Sequence, residues 1–128
     1  MLYAIFCYDS EAVTNAWSKE YDDQVMTQLG GVLSKLADQK RLGPTARLMP
    51  TTTATTVRKG KEAMVIDGPF AETKEQLGGY YLLECADLDE ALSWASRIPG
   101  ALYGAIEVRP IMDYSTFEAP AAASEATA

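Results

Sequence analysis

The sequence contains no histidine. That removes the side chain most used for proton transfer near neutral pH. The Ser-His and Cys-His nucleophile pairs go with it, as do the imidazole ligands usual in catalytic zinc sites. Any catalysis falls to carboxylates, Lys, Tyr, Cys or a borrowed cofactor. Cysteine is scarce too. Cys7 and Cys85 are far apart and form no C-x-x-C pair, so they read as two reduced thiols packed in strands. Positive charge is in short supply: 11 Lys and Arg stand against 18 Asp and Glu, a net charge of -7. Such a chain repels phosphate backbones and anionic headgroups, so neither nucleic acid nor a membrane surface is an expected partner. No long apolar run is present. Residues 1–8 are apolar but short, no basic residue precedes them, and Asp9 and Glu11 follow. They are expected to be neither a signal peptide nor a membrane span, and the cytoplasm is the expected compartment. The acidic residues show no EF-hand or paired-ligand spacing, so neither metal nor cofactor is expected.

What is present is enough apolar material, 48% of 128 residues, for one core. Residues 2–8 read as a strand apolar on both faces, with Tyr3, Ile5 and Cys7 pointing one way and Leu2, Ala4, Phe6 and Tyr8 the other. Such a strand is central and needs cover on each side. Trp17, Tyr21, Val25, Leu29, Val32, Leu33 and Leu36 recur at helical spacing. This predicts one helix, capped by Ser10 or Thr14 and ended by Leu42-Gly43-Pro44. Gly30-Gly31 inside it costs roughly 1 kcal/mol per glycine and is expected to pack closely on the sheet. Residues 45–50 read as a short extended segment. Residues 51–58 and 62–66 read as two arms of a hairpin around Lys59-Gly60-Lys61. Thr73 and Gln76 fit a capping box opening a helix of one turn, stopped by Gly78. A strand follows at 80–85. Asp87 to Glu90 form a second capping box, opening a helix through Ile98 that Pro99-Gly100 closes. Residues 105–109 alternate and read as the last strand.

This order predicts a ferredoxin-like α+β fold: an antiparallel sheet with two main helices on one face. The two-sided apolar strands then lack cover on the other face. A second copy packing sheet to sheet would supply it, so a homodimer is expected. From Ser115 the composition shifts to Ala, Ser, Thr, Glu and Pro. This divides the chain into a domain at 1–113 and an Ala/Ser/Thr-rich tail at 114–128.

One segment concentrates turn chemistry and titratable groups: Asp67-Gly68-Pro69-Phe70-Ala71-Glu72-Thr73-Lys74-Glu75-Gln76-Leu77-Gly78-Gly79-Tyr80. Asp67 is either the acceptor of an Asx-type turn, with Gly68 at an unusual φ, or a general base at a cleft mouth. Lys74, flanked by Glu72 and Glu75, is either part of an ion-pair network or a fixed positive point for an anionic ligand. Phe70 and Tyr80 are core or the apolar wall of a site. Asp67, Phe70, Glu72, Lys74, Glu75 and Tyr80 are therefore the candidate site residues.

The segment closely resembles the signature of the DGPF proteins of the YCII-related superfamily. The resemblance runs from the 54–58 strand through Asp87-Leu88-Asp89-Glu90-Ala91-Leu92 to Ile106-Glu107-Val108-Arg109-Pro110. It implies a dimeric α/β barrel. It implies little about activity, since members are mostly of unknown function. Many are encoded beside extracytoplasmic-function sigma factors, which implies a regulatory or stress-linked setting. The wider superfamily carries a His and an Asp in a cleft, and this chain has no His to match. Three functions follow as expectations: a dimeric small-molecule-binding or sensing protein; a His-independent enzyme with Asp67 as acid/base and Lys74 as electrostatic stabiliser; and an interaction module linked to a sigma factor.

Overall fold

The computed structural model describes residues 1–112. Strand β1 (Leu2–Asp9) leads into a single turn, α1 (Glu11–Thr14), and then the long helix α2 (Lys19–Asp38). Strand β2 (Leu42–Arg47) follows, then a 3-10 turn (Thr51–Thr53) and the hairpin β3 (Thr55–Lys59) and β4 (Ala63–Asp67). Strand β5 (Gln76–Glu84), helix α3 (Leu88–Ala95), the short α4 (Gly100–Tyr103) and β6 (Gly104–Pro110) complete the order. The main sheet runs β2-β5-β1-β6 and every pairing is antiparallel. With the hairpin set aside, this is the expected ferredoxin-like arrangement.

The alternation in β1 decides the layering. Tyr3 and Ile5 are buried beneath the helices, together with Leu83 and Cys85, and meet Leu36 from α2 and Ala91, Trp94 and Ala95 from α3. Cys7, Tyr81, Ile106 and Val108 extend this cluster. On the reverse face, register places Ala46, Tyr80, Phe6 and Glu107 in one row across the four strands. Phe6, Tyr8, Tyr80 and Leu82 there are half-buried and belong to no buried cluster. No side chain from 43 to 80 joins the core apart from its edge. Among the described residues no helix is long and apolar enough to cross a membrane.

Several sequence expectations are corrected. The first helix is divided. Ser18 Oγ accepts from the Tyr21 backbone N–H at 3.1 Å and opens α2 afresh, while the Ser10 side chain caps nothing. Gly30 and Gly31 do not pack on the sheet; both are exposed, and a Cβ on either would meet open space. Leu42-Gly43-Pro44 does not stop the helix but begins β2. That strand lies at the sheet edge, and its register shifts between Leu42 and Thr45, so Pro44 needs no ladder partner. Residues 51–53 form the 3-10 turn, not strand.

The helix at 73–77 is absent. Gln76 Nε2 donates to the Ala71 and Thr73 carbonyls at 2.9 and 3.2 Å, and Thr73 Oγ1 donates to the Glu75 carbonyl at 2.6 Å. Side chains thus tie an irregular loop, and Gln76 enters β5 opposite Asp9. One isolated turn has too few hydrogen bonds to compete with that. Gly78 is accordingly a strand residue, not a helix stop. The second capping box forms: Asp87 Oδ1 accepts from the Glu90 N–H at 2.9 Å, and Glu90 Oε2 accepts from the Ala86 N–H at 3.2 Å. Its helix ends at Ala95, and Pro99-Gly100 opens α4 instead of closing α3. The predicted tail lies outside the described residues.

Candidate functional site

The end of β1, the start of β5, the face of α2, the turn of α4 and the stretch after β2 enclose a cavity of about 480 Å³. The sequence builds it simply. β1 continues its helix-facing alternation past the core, so Cys7 and then Asp9 reach this space. β5 contributes Gly78, Gly79 and Tyr81. Both glycines are required by close approach. A Cβ on Gly79 would stand 2.7 Å from the Ala46 carbonyl oxygen, so its absence lets β2 pair. A Cβ on Gly78 would stand 3.2 Å from Asp9 Oδ2, so its absence gives the carboxylate its place.

Aromatic and apolar groups form the far wall. Trp17 meets Tyr103 edge to face, with ring centroids 4.7 Å apart, and Val25 and Leu29 of α2 sit alongside. Arg47 is the cation at this wall. Its Nη2 donates to Asp22 Oδ1 at 3.3 Å, and its Nη1 lies 3.5 Å from Met26 Sδ. Glu11, also lining the cavity, accepts from the Thr51 N–H at 2.8 Å and from Thr51 Oγ1 at 2.7 Å. It thereby fixes the base of the hairpin to the end of β1. Among the described residues the Asp9 carboxylate receives no hydrogen bond and joins no ion pair.

Burial dominates the electrostatics. It pushes the Asp9 carboxyl above its ordinary value, Glu11 and Glu75 add to this by repulsion, and Arg47 opposes it. Burial, with the neighbouring Asp9, pushes the Cys7 thiol up to about 11. Burial pushes the Tyr81 phenol up to about 12, and Tyr103 is raised for the same first reason. Near neutral pH Cys7 is thus a thiol and Tyr81 a phenol, and neither is an anionic nucleophile.

The six residues expected to form a site fall in separate places. Asp67 ends β4, exposed and opposite Thr55, and its carboxylate accepts no hydrogen bond among the described residues. Gly68 does take the unusual φ, +108°, but the turn is closed by backbone and threonine. Its N–H donates to the Ala54 carbonyl at 2.7 Å, and its own carbonyl accepts from Thr56 Oγ1 at 2.8 Å. Phe70 is 77% exposed. Glu72 and Lys74 line a second, more open hollow of about 590 Å³, with Ser10, Thr51 and Pro69. Among the described residues, Lys74 makes no ion pair with Glu72 or Glu75. Tyr80 points to the opposite sheet face, beside Phe6. Glu75 alone bears on the cavity, through its repulsion of Asp9. No three Asp, Glu or Cys side chains converge as metal ligands would among the described residues.

Asp9, Arg47, Trp17 and Tyr103 were not legible as a site. The one available signal was Asp9 itself, a carboxylate ending an otherwise apolar strand.

A family model for the YCII-related domain matches residues 1–115. An uncharacterised protein of Rhizobium meliloti (strain 1021) is 53% identical over 123 residues, covering 94% of this chain and 99% of that one. Among solved structures, 5-chloro-2-hydroxyhydroquinone dehydrochlorinase from Burkholderia phenoliruptrix AC1100, in complex with 2,5-dihydroxybenzoquinone, superposes with a TM-score of 0.51 at 16% identity. It covers 88% of this chain and 94% of its own. At that identity the likeness is one of fold.

Proposed function

This chain belongs to the YCII-related family, and on that premise we propose that it binds a small molecule in the cavity between the helices and the sheet, with Asp9 as the polar group that engages it. One observation carries the reading: a carboxylate without a hydrogen-bond partner among the described residues, its proton affinity raised by burial, stands in the wall of a largely aromatic and apolar space. A perturbed titratable group converging on such a cavity is the usual mark of a binding site. The cavity volume falls within the roughly 300–1,000 Å³ common for small-molecule sites. Binding is favoured over covalent chemistry because Cys7 and Tyr81 are held protonated.

A second reading shares the site. A carboxyl whose proton affinity is raised by burial is also suited to accept a proton from a bound molecule, so Asp9 takes the acid/base role first expected of Asp67. The homodimer remains part of the proposal. It is supported by the half-buried group of Phe6, Tyr8, Tyr80 and Leu82 on the sheet face that the helices leave uncovered.

The test is a thermal-shift and calorimetric screen of metabolites against the full chain, Asp9→Asn and Lys74→Ala. Ligands are expected to lose affinity in Asp9→Asn and keep it in Lys74→Ala. The reverse pattern would move the site to the hollow beside Glu72 and Lys74. Recovery of every bound ligand unchanged after long incubation would end the enzymatic reading alone. Light scattering that finds a monomer at micromolar concentration would end the dimer.

A further inference from the structure

We propose that the molecule this cavity takes is an organic cation: an amine on an apolar, ring-containing body, its ammonium group seated between Asp9 and the Trp17–Tyr103 pair. The inference rests on the cavity being the binding site and adds the charge class of the ligand. Among the described residues three carboxylates line the space, those of Asp9, Glu11 and Asp22, against the one guanidinium of Arg47. No lysine among the described residues lines it, and the whole chain carries a net charge of -7. An anion therefore enters against the local field and finds one cation, already held by Asp22 at 3.3 Å.

The carboxylates are not equivalent. Asp22 is committed to Arg47, and Glu11 uses both oxygens on Thr51. Asp9 is left as the acceptor with no partner among the described residues. Around it stand Glu11 from α1, Glu75 ahead of β5, Arg47 from β2, Tyr103 from α4 and Cys7 from its own strand. An ammonium group placed there supplies the charge and the donors that this arrangement lacks. The aromatic rings beside it offer a further attraction: cations favour the faces of Trp and Tyr, more so where water is excluded. Val25 and Leu29 provide the apolar surface for the rest of the molecule.

The experiment is isothermal titration of the full chain with three matched series on the same one- and two-ring bodies: amines, alcohols and carboxylates. Amines are expected to bind at least about ten-fold more tightly than the alcohols, with carboxylates weakest. Asp9→Asn is expected to reduce each amine to the level of its alcohol. Amine affinity is expected to fall on acidification as Asp9 takes a proton, while alcohol affinity holds. Alcohols or carboxylates binding as tightly as amines would overturn the charge assignment and leave the cavity standing as a site. No binding in any series would overturn both.

Discussion

Asp9 and Gly78 face one another across β1 and β5 so closely that a methyl group on Gly78 would stand 3.2 Å from Asp9 Oδ2 and 3.6 Å from Oδ1. A side chain at position 78 would press on the carboxylate, which would have to give by a few tenths of an ångström.

Gly78→Ala is therefore expected to turn the Asp9 carboxylate aside without breaking the sheet. What must yield is the far end of a side chain, so the stability cost should stay below about 1 kcal/mol. Ligand affinity should fall by about ten-fold, comparable to losing one charge-assisted hydrogen bond. Paired melting and calorimetry check this. A variant that melts like the parent and also binds like it would show that Asp9 does not hold the ligand.

The neighbouring substitution should behave in the opposite way. In Gly79→Ala the new methyl meets the Ala46 carbonyl oxygen at 2.7 Å, and neither partner is a movable side chain. The β2–β5 pairing must open, at about 1–3 kcal/mol, the usual cost of forced overpacking. Urea denaturation should show the loss as a lower midpoint with an unchanged slope.

Glu11→Ala removes both acceptors from Thr51, bonded at 2.8 and 2.7 Å. Charge-assisted bonds of this kind are worth about 1.5–3 kcal/mol each when intact, but the hairpin they anchor contributes nothing to the core. Hydrogen exchange should accelerate across residues 51–67, while amides of Ile5 and Leu83 keep their protection.

Asp9 also sets a pH dependence with a definite sign. Burial, then Glu11 and Glu75, raise its folded pKa above the unfolded value, with Arg47 opposing. The folded state thus holds this proton more tightly than the unfolded chain. Stability from this source is complete below the unfolded value, about 4, and is lost as pH rises through the folded value. Asp9→Asn escapes that loss. It should melt above the parent at pH 7, a modest gain because the carboxyl is partly screened by solvent. The gap should close as pH falls toward 4. A variant less stable than the parent at pH 7 would mean that Asp9 serves the fold.

The layered fold was legible because its signals are local and periodic. Alternation in β1 sorted Tyr3 and Ile5 from Ala4 and Phe6, and Asp87 with Glu90 marked a helix start that forms. The capping pattern at Thr73 and Gln76 was misleading because the same side chains also suit a loop, and pairing with β1 decided between them. The site was the least legible part. Asp9, Asp22, Arg47 and Tyr103 come from four elements and are brought together only by register and helix packing. The segment richest in titratable groups instead spreads over a hairpin end, an open hollow and the reverse face of the sheet.

The core draws nothing from the stretch between Leu42 and Tyr81, yet Leu48, Met49 and Pro50 from that stretch wall the cavity. The chain thus separates two properties that compact domains often entangle. How long a guest stays depends on how often this peripheral stretch lifts away, a local opening with its own free energy. How hot the protein must be before it unfolds depends on α2, α3 and the sheet. Substitutions at Leu48, Met49 and Pro50, outside the sheet strands, are expected to change residence time while the melting temperature hardly moves.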